Sequence, residues 1–124
     1  DNFINFIFRN PTSFDGSEQY VQSAVSRAET GGFDGVLVTN IFAEVNGLET
    51  GPENDRYIQA CAEKATIIVA AWGNDGLSRQ GTVMSYLPKD KLYCFGKTGK
   101  GAPKMPAYSG FVGSWLDSFK KWDV

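Results

Sequence analysis

The sequence contains no histidine. That absence removes the commonest general base and the commonest metal ligand. Within these 124 residues a Ser-His-Asp triad, a Cys-His pair and a histidine-based zinc site are excluded. Cysteine is scarce: Cys61 and Cys94 each sit inside an apolar element. Two buried free thiols are expected there, not a disulfide framework. No apolar run approaches the length of a membrane span and no signal peptide is visible, so no membrane partner and a reducing cytoplasm are expected. Charge of one sign is also missing. The 14 acidic residues nearly cancel the 12 basic ones, leaving a net charge of −2. Strong non-specific nucleic-acid binding needs a basic surface and is not expected, whereas a small anion held by a local pocket is compatible with this balance. There is no Gly-x-x-x-x-Gly-Lys loop, no Gly-x-Gly-x-x-Gly fingerprint after a strand and no paired-carboxylate spacing. Neither a metal nor a cofactor is expected.

What is present is alternation. Phe3–Phe8 is a nearly continuous apolar run, the pattern of a strand covered on both faces. Tyr20, Val21, Ala24, Val25 and Ala28 follow at helical spacing, with Ser17 as N-cap and Gly31-Gly32 as stop. Gly35–Asn40 reads as the second strand. Pro52 suits the first position of a helix, with Glu53 and Asp55 in its first turn, an apolar stripe of Tyr57, Ile58, Cys61, Ala62 and Ala65, and Lys64 in its last turn. Ile67–Ala71 is β-branched and reads as the third strand. A third helix is expected from about Gly76 to Tyr86, with Leu77, Met84 and Leu87 inward, and a fourth strand over Leu92–Phe95. Residues 96–113 form a long Gly/Pro-rich loop, a kind that is usually functional or mobile. Ser114 then begins a last helix carrying Trp115, Leu116, Phe119 and Trp122. Strands alternating with helices predict a single α/β domain over residues 1–124: three layers, a four-stranded parallel sheet and flanking helices.

In such a sheet the carboxyl ends of the strands share one rim, where ligands bind. Asn10, Pro11, Thr12 and Ser13 follow the first strand; an Asn amide matches the amide edge of a base, and hydroxyls with free N–H groups suit a phosphate. An ordinary Asn-Pro turn explains the same residues. Asn40 ends the second strand. Asn54 and Asp55 open a helix, with Asp55 the best-placed carboxylate. Trp72, Gly73 and Asn74 follow the third strand, and Trp72 fits a stacking platform and a core plug equally well. Lys97, Thr98 and Tyr108 lie in or after the fourth strand's loop, where solvated side chains are the ordinary reading.

Taken in order, Asn10-Pro11-Thr12-Ser13, Val38–Ala43, Gly51-Pro52-Glu53-Asn54-Asp55, Val69-Ala70-Ala71-Trp72-Gly73 and Leu92–Gly96 resemble the motifs of a bacterial and phage family catalogued as domain-of-unknown-function family 1643. The resemblance runs roughly from Phe6 to Tyr108. It implies a compact α/β domain similar to the uracil-DNA glycosylase fold, in which residues matching Asn10–Ser13, Asn40 and the loop near Pro106 surround a nucleobase. The family's Asp after its first motif corresponds to Asp15. Its late His-Pro is Met105-Pro106 here, and the Ala43–Gly51 connection is short. The short length and trimmed loops give this member a viral look.

Three readings follow. The first is a binding protein for a nucleotide or nucleobase, such as a phage protein that sequesters a nucleotide immune signal. The second is a hydrolase of N-glycosidic or phosphate bonds, with Asp55 or Asp15 orienting water and Asn10 or Asn40 reading the base. The third is a protein-interaction or inhibitor module that uses Trp115 and Trp122. The missing histidine, which would stabilise a departing base, favours binding over catalysis. Oligomerisation is left open.

Overall fold

The computed structural model describes residues 2–9, 19–42, 52–104 and 120–121. Strand β1 (Phe3–Phe8) leads to helix α1 (Gln19–Thr30), β2 (Gly35–Asn40), α2 (Pro52–Lys64) and β3 (Ile67–Ala70). A 3-10 turn over Asn74–Gly76 runs into α3 (Leu77–Tyr86), and β4 (Leu92–Cys94) and β5 (Lys120–Lys121) complete the sheet. The strand order is β2-β1-β3-β4-β5. The first four strands are parallel, as the alternation of elements predicts. β5 pairs antiparallel with β4, Tyr93 opposite Lys121. That pairing corrects the expected last helix at Lys120 and Lys121, where ladder bonds to an otherwise open sheet edge prevail over the helical spacing of the sequence; the rest of that segment lies outside the described residues.

β1 is central and its side chains alternate between two cores. Ile4, Phe6 and Phe8 face α1, packing with Ala24, Ala28, Val69 and Ala71. Ile7 faces α2 and α3, packing with Ile58, Ala62, Ile68, Trp72, Val83 and Met84. This two-faced burial explains why β1 reads as an unbroken apolar run. Its one polar interruption, Asn5, is wholly buried and donates to the Leu37 carbonyl at 3.0 Å and Thr39 Oγ1 at 3.4 Å. α1 stops in a motif that only a left-handed residue closes easily: Gly32 has φ 78°, and the Phe33 N–H reaches back to the Ala28 carbonyl at 3.0 Å.

Two helical stripes differ from the sequence pattern. Val25 is exposed and Tyr57 is 58% exposed. On α1 the buried face instead includes Ser23 and Arg27; the Arg27 guanidinium donates to Ser23 Oγ and lies 5.3 Å from the Phe95 ring centroid. A charged side chain that meets a hydroxyl and an aromatic face can take a core position that an apolar pattern assigns elsewhere. Cys61 and Cys94 are buried free thiols, and burial pushes the Cys61 thiol up. Among the described residues no helix is long and apolar enough to cross a membrane.

Candidate functional site

The register sets the strand ends at one level. Phe8 pairs with Asn40, Ile7 with Ala70, and Ala70 with Cys94. Ladder bonds continue just past the strands: the Ile41 N–H donates to the Phe8 carbonyl at 2.9 Å, Phe42 to Arg9 at 2.8 Å and Ala71 to Ile7 at 2.9 Å. The chain leaves β1 toward α1 on one face and leaves β3 toward α3 on the other. The order 2-1-3-4 therefore puts the topological switch point between the ends of β1 and β3, where an open α/β sheet has its ligand crevice.

Two polar clusters gather at this rim. In the first, Asn54 Nδ2 donates to the Asn40 carbonyl at 2.8 Å, tying the start of α2 to the end of β2. Beside it, Asp55 Oδ1 accepts from Arg79 Nη2 at 2.5 Å and from the Tyr86 hydroxyl at 2.8 Å. Arg79 Nε also donates to the Ile41 carbonyl at 3.1 Å. One side chain of α3 thus holds α2 and the end of β2 together. The Arg79 side chain is 11% exposed and that of Asp55 37%. Partial burial pushes the Asp55 carboxyl upward, but the hydrogen bonds from Arg79 and Tyr86 and the Arg79 charge outweigh it and leave it below the ordinary range. Burial, and then the Asp55 carboxylate as acceptor and charge, push the Tyr86 phenol well above its ordinary value. Asp55 is therefore a persistent carboxylate, suited to accepting hydrogen bonds and weak as a base.

The second cluster joins the turn after β3 to the loop after β4. Thr98 Oγ1 donates to Asn74 Oδ1 at 2.6 Å, and the Gly73 N–H donates to the Pro103 carbonyl at 2.9 Å. Lys97 pairs with Pro103 in an antiparallel bridge, and Thr98 N–H reaches the Ala102 carbonyl at 2.7 Å. The first part of the expected loop, residues 96–104, is thus a hydrogen-bonded hairpin. Gln80 supports it from α3, donating to the Gly101 carbonyl at 3.1 Å and accepting from the Trp72 indole N–H at 2.9 Å. Trp72 is wholly buried in the core between the sheet and α3. Of its two readings the core plug describes its position, because no ring face is left to a ligand. Gly76 allows the close approach: a Cβ there would stand 2.4 Å from Trp72 Cδ1 and 2.6 Å from Ile41 Cδ1.

A family model described as "Protein of unknown function (DUF1643)" matches residues 1–107. The chain belongs to the DUF1643 family. No curated protein and no solved structure matches it.

In this DUF1643 chain the rim brings Asn40, Asn54 and Asp55 together, and separately Gly73, Asn74 and Thr98, with Lys97 exposed beside them. Asn10, Pro11, Thr12, Ser13, Asp15 and Tyr108 lie outside the described residues. Sequence reasoning missed Arg79, Tyr86 and Gln80, which sit on α3 at positions indistinguishable from a solvated helix face. It also missed Arg9, whose side chain forms an ion pair with Asp75 at 2.6 Å. A cation at the junction of a buried strand and an Asn-Pro turn was the available signal. Among the described residues no group of three metal-ligating side chains could hold an ion.

Proposed function

We propose that the protein binds a nucleotide or nucleobase-containing small molecule at the carboxyl rim of its sheet. The observation that carries this reading is Asn40 Oδ1. It lies at the end of β2, is buried, and has no hydrogen-bond partner among the described residues. An unpaired buried acceptor costs about 1–3 kcal/mol. The imino or exocyclic N–H of a base would supply the missing donor. The Asn54 amide holds the Asn40 backbone from behind, which fixes the acceptor's origin. The resemblance to the uracil-DNA glycosylase fold supports the same placement, since its strand-end Asn faces a base. Asp55, engaged by Arg79 and Tyr86, supports binding over hydrolysis. Sequestration of a nucleotide immune signal by a phage protein is the biological role consistent with binding without turnover.

Native mass spectrometry after incubation with a cell nucleotide extract tests the reading. A retained mass equal to a nucleotide supports it. An altered nucleotide in the flow-through favours the glycosylase-like hydrolase instead, and no retained or altered species rejects both. Asn40→Ala should weaken any retained ligand about tenfold, the worth of one well-made hydrogen bond.

A further inference from the structure

We propose that β2 is a self-association edge, at which two copies of the chain join antiparallel into one continuous sheet. The inference is independent of the nucleotide reading. β2 ends the strand order, and among the described residues only β1 pairs with it. Gly35–Val38 is half-buried, whereas β1 and β3 are enclosed from their second residues onward. The sequence Gly-Val-Leu-Val-Thr-Asn holds no charge and no proline, two devices that keep an outer strand from pairing. Both helices that flank β2 turn an apolar side chain toward the same edge. α1 packs on β2 from one face, and α2 packs on β2 and β1 from the other. On α1, Arg27 reaches toward the β4 side, to the Phe95 ring; Val25, about 200° round the helix from it, is on the β2 flank. On α2, Asp55 faces α3; Tyr57, again about 200° round, is on the flank away from α3. Among the described residues these are the two large apolar side chains that stand exposed.

α2 identifies the occupant as a second copy. It spans β2 end to end: Asn54 bonds the Asn40 carbonyl, and Lys64 Nζ lies 5.0 Å from the centre of the Phe3 ring, which stands over Gly35. Its midpoint is therefore level with the middle of β2. Glu53, Tyr57, Ala60 and Lys64 are all exposed and recur at spacings of four, three and four, so they form one stripe. A twofold axis through the middle of β2, perpendicular to the sheet, sets α2 antiparallel to α2 of the second copy. Glu53 then meets Lys64 of the second copy and Tyr57 meets its Ala60, and each pairing occurs twice. Glu53 also approaches Arg56 at 3.6 Å, an open contact that leaves it available. Strands stand about 4.8 Å apart, so helices seated over β1 and β2 come within about 10 Å, an ordinary helix-packing distance. The stripe is complementary to itself in charge and in size, and the two carboxyl rims face opposite ways.

Sedimentation velocity of the full chain over rising concentration tests the proposal. The mass should climb from 13.6 kDa to twice that value. Glu53→Lys and Lys64→Glu each turn both cross-pairs repulsive and should weaken dimerisation about tenfold. Mixing the two variants restores both pairs, so a heterodimer should form at concentrations where neither variant dimerises alone. That rescue also shows that both variants fold. Hydrogen exchange should protect the outward β2 amides only as the dimer forms. A monomer at every concentration overturns the proposal. Protected β2 amides in that monomer would give the edge to another segment of this chain, and open ones would leave it to a strand of another protein. A dimer indifferent to both substitutions, or a mixture no tighter than either variant alone, overturns it as well.

Discussion

Trp72 offers the sharpest test of how the rim is built. Were it a stacking platform, its removal would abolish ligand binding and leave folding nearly intact. As a wholly buried plug whose indole N–H is spent on Gln80, its removal should be felt first in stability. An aromatic side chain of this kind buries about 150–250 Å², worth about 4–6 kcal/mol at roughly 25 cal/mol/Å². Truncation to Ala is therefore expected to cost about 3–5 kcal/mol, a large share of the roughly 5–15 kcal/mol available to a domain. Trp72→Phe keeps a ring, loses part of the volume and strands Gln80 Oε1. Because Gln80 is only half-buried, water replaces part of that bond, and the expected cost is about 1–2.5 kcal/mol. Gln80→Leu isolates the hydrogen bonds, leaving the ring in place and freeing the Gly101 carbonyl. Urea unfolding followed by far-UV circular dichroism, with unchanged m-values, gives the three numbers. A Trp72→Ala loss below about 1 kcal/mol would refute the buried-plug geometry.

Three further outcomes are expected. Gly76→Ala drives a methyl into Trp72 and Ile41 and should destabilise by about 1–3 kcal/mol, whereas Gly81→Ala, with nothing within 4 Å of its Cβ, should stabilise by about 0.5–1 kcal/mol; thermal unfolding of the pair reports opposite signs. The Asp55 carboxyl is lowered in the folded state, so the stability it contributes is present above the ordinary carboxyl value of about 4 and lost as pH falls through the lower folded value; Asp55→Asn should flatten that acid limb in pH-dependent urea unfolding. The Tyr86 phenol is raised, so its contribution is present below the ordinary phenol value of about 10 and lost as pH climbs above it, and Tyr86→Phe should weaken the alkaline loss; an alkaline limb unchanged in Tyr86→Phe would contradict the buried bond to Asp55.

The parallel sheet was legible because burial on both faces writes itself into sequence. Ile4, Phe6 and Phe8 serve one core and Ile7 the other, so β1 appears over its full length as a nearly unbroken apolar run. The strand-end location of the site follows from the same alternation. What the pattern could not carry was partner choice. On α1 Arg27 is inside and Val25 outside, the reverse of what spacing predicts, because a hydroxyl and an aromatic ring make a charged residue acceptable in the core, and on α2 Tyr57 turns to solvent. β5 is decided by an edge pairing that no local periodicity encodes. Asp55 could be singled out from its place at a helix start, but the residues that fix its charge, Arg79 and Tyr86, lie 24 and 31 positions away.

Among the described residues the rim holds two arginine–aspartate pairs with opposite physical characters. Arg79–Asp55 is shielded, shared with Tyr86 and with a backbone carbonyl, and joins three elements. Breaking it leaves an uncompensated charge in a poorly solvated place, so it is expensive to disturb and serves as a fixed frame. Arg9–Asp75 is more open to solvent, with side chains 35% and 76% exposed, and joins the end of β1 to the turn after β3, so the pair itself contributes little. Raising ionic strength separates them, since salt screens exposed charges far more than enclosed ones. Titration of the Asp75→Asn and Arg79→Met variants at low and high salt should therefore give a stability loss at Arg79 that persists and a smaller one at Asp75 that shrinks. A salt-sensitive loss at Arg79 would show that the frame is not shielded.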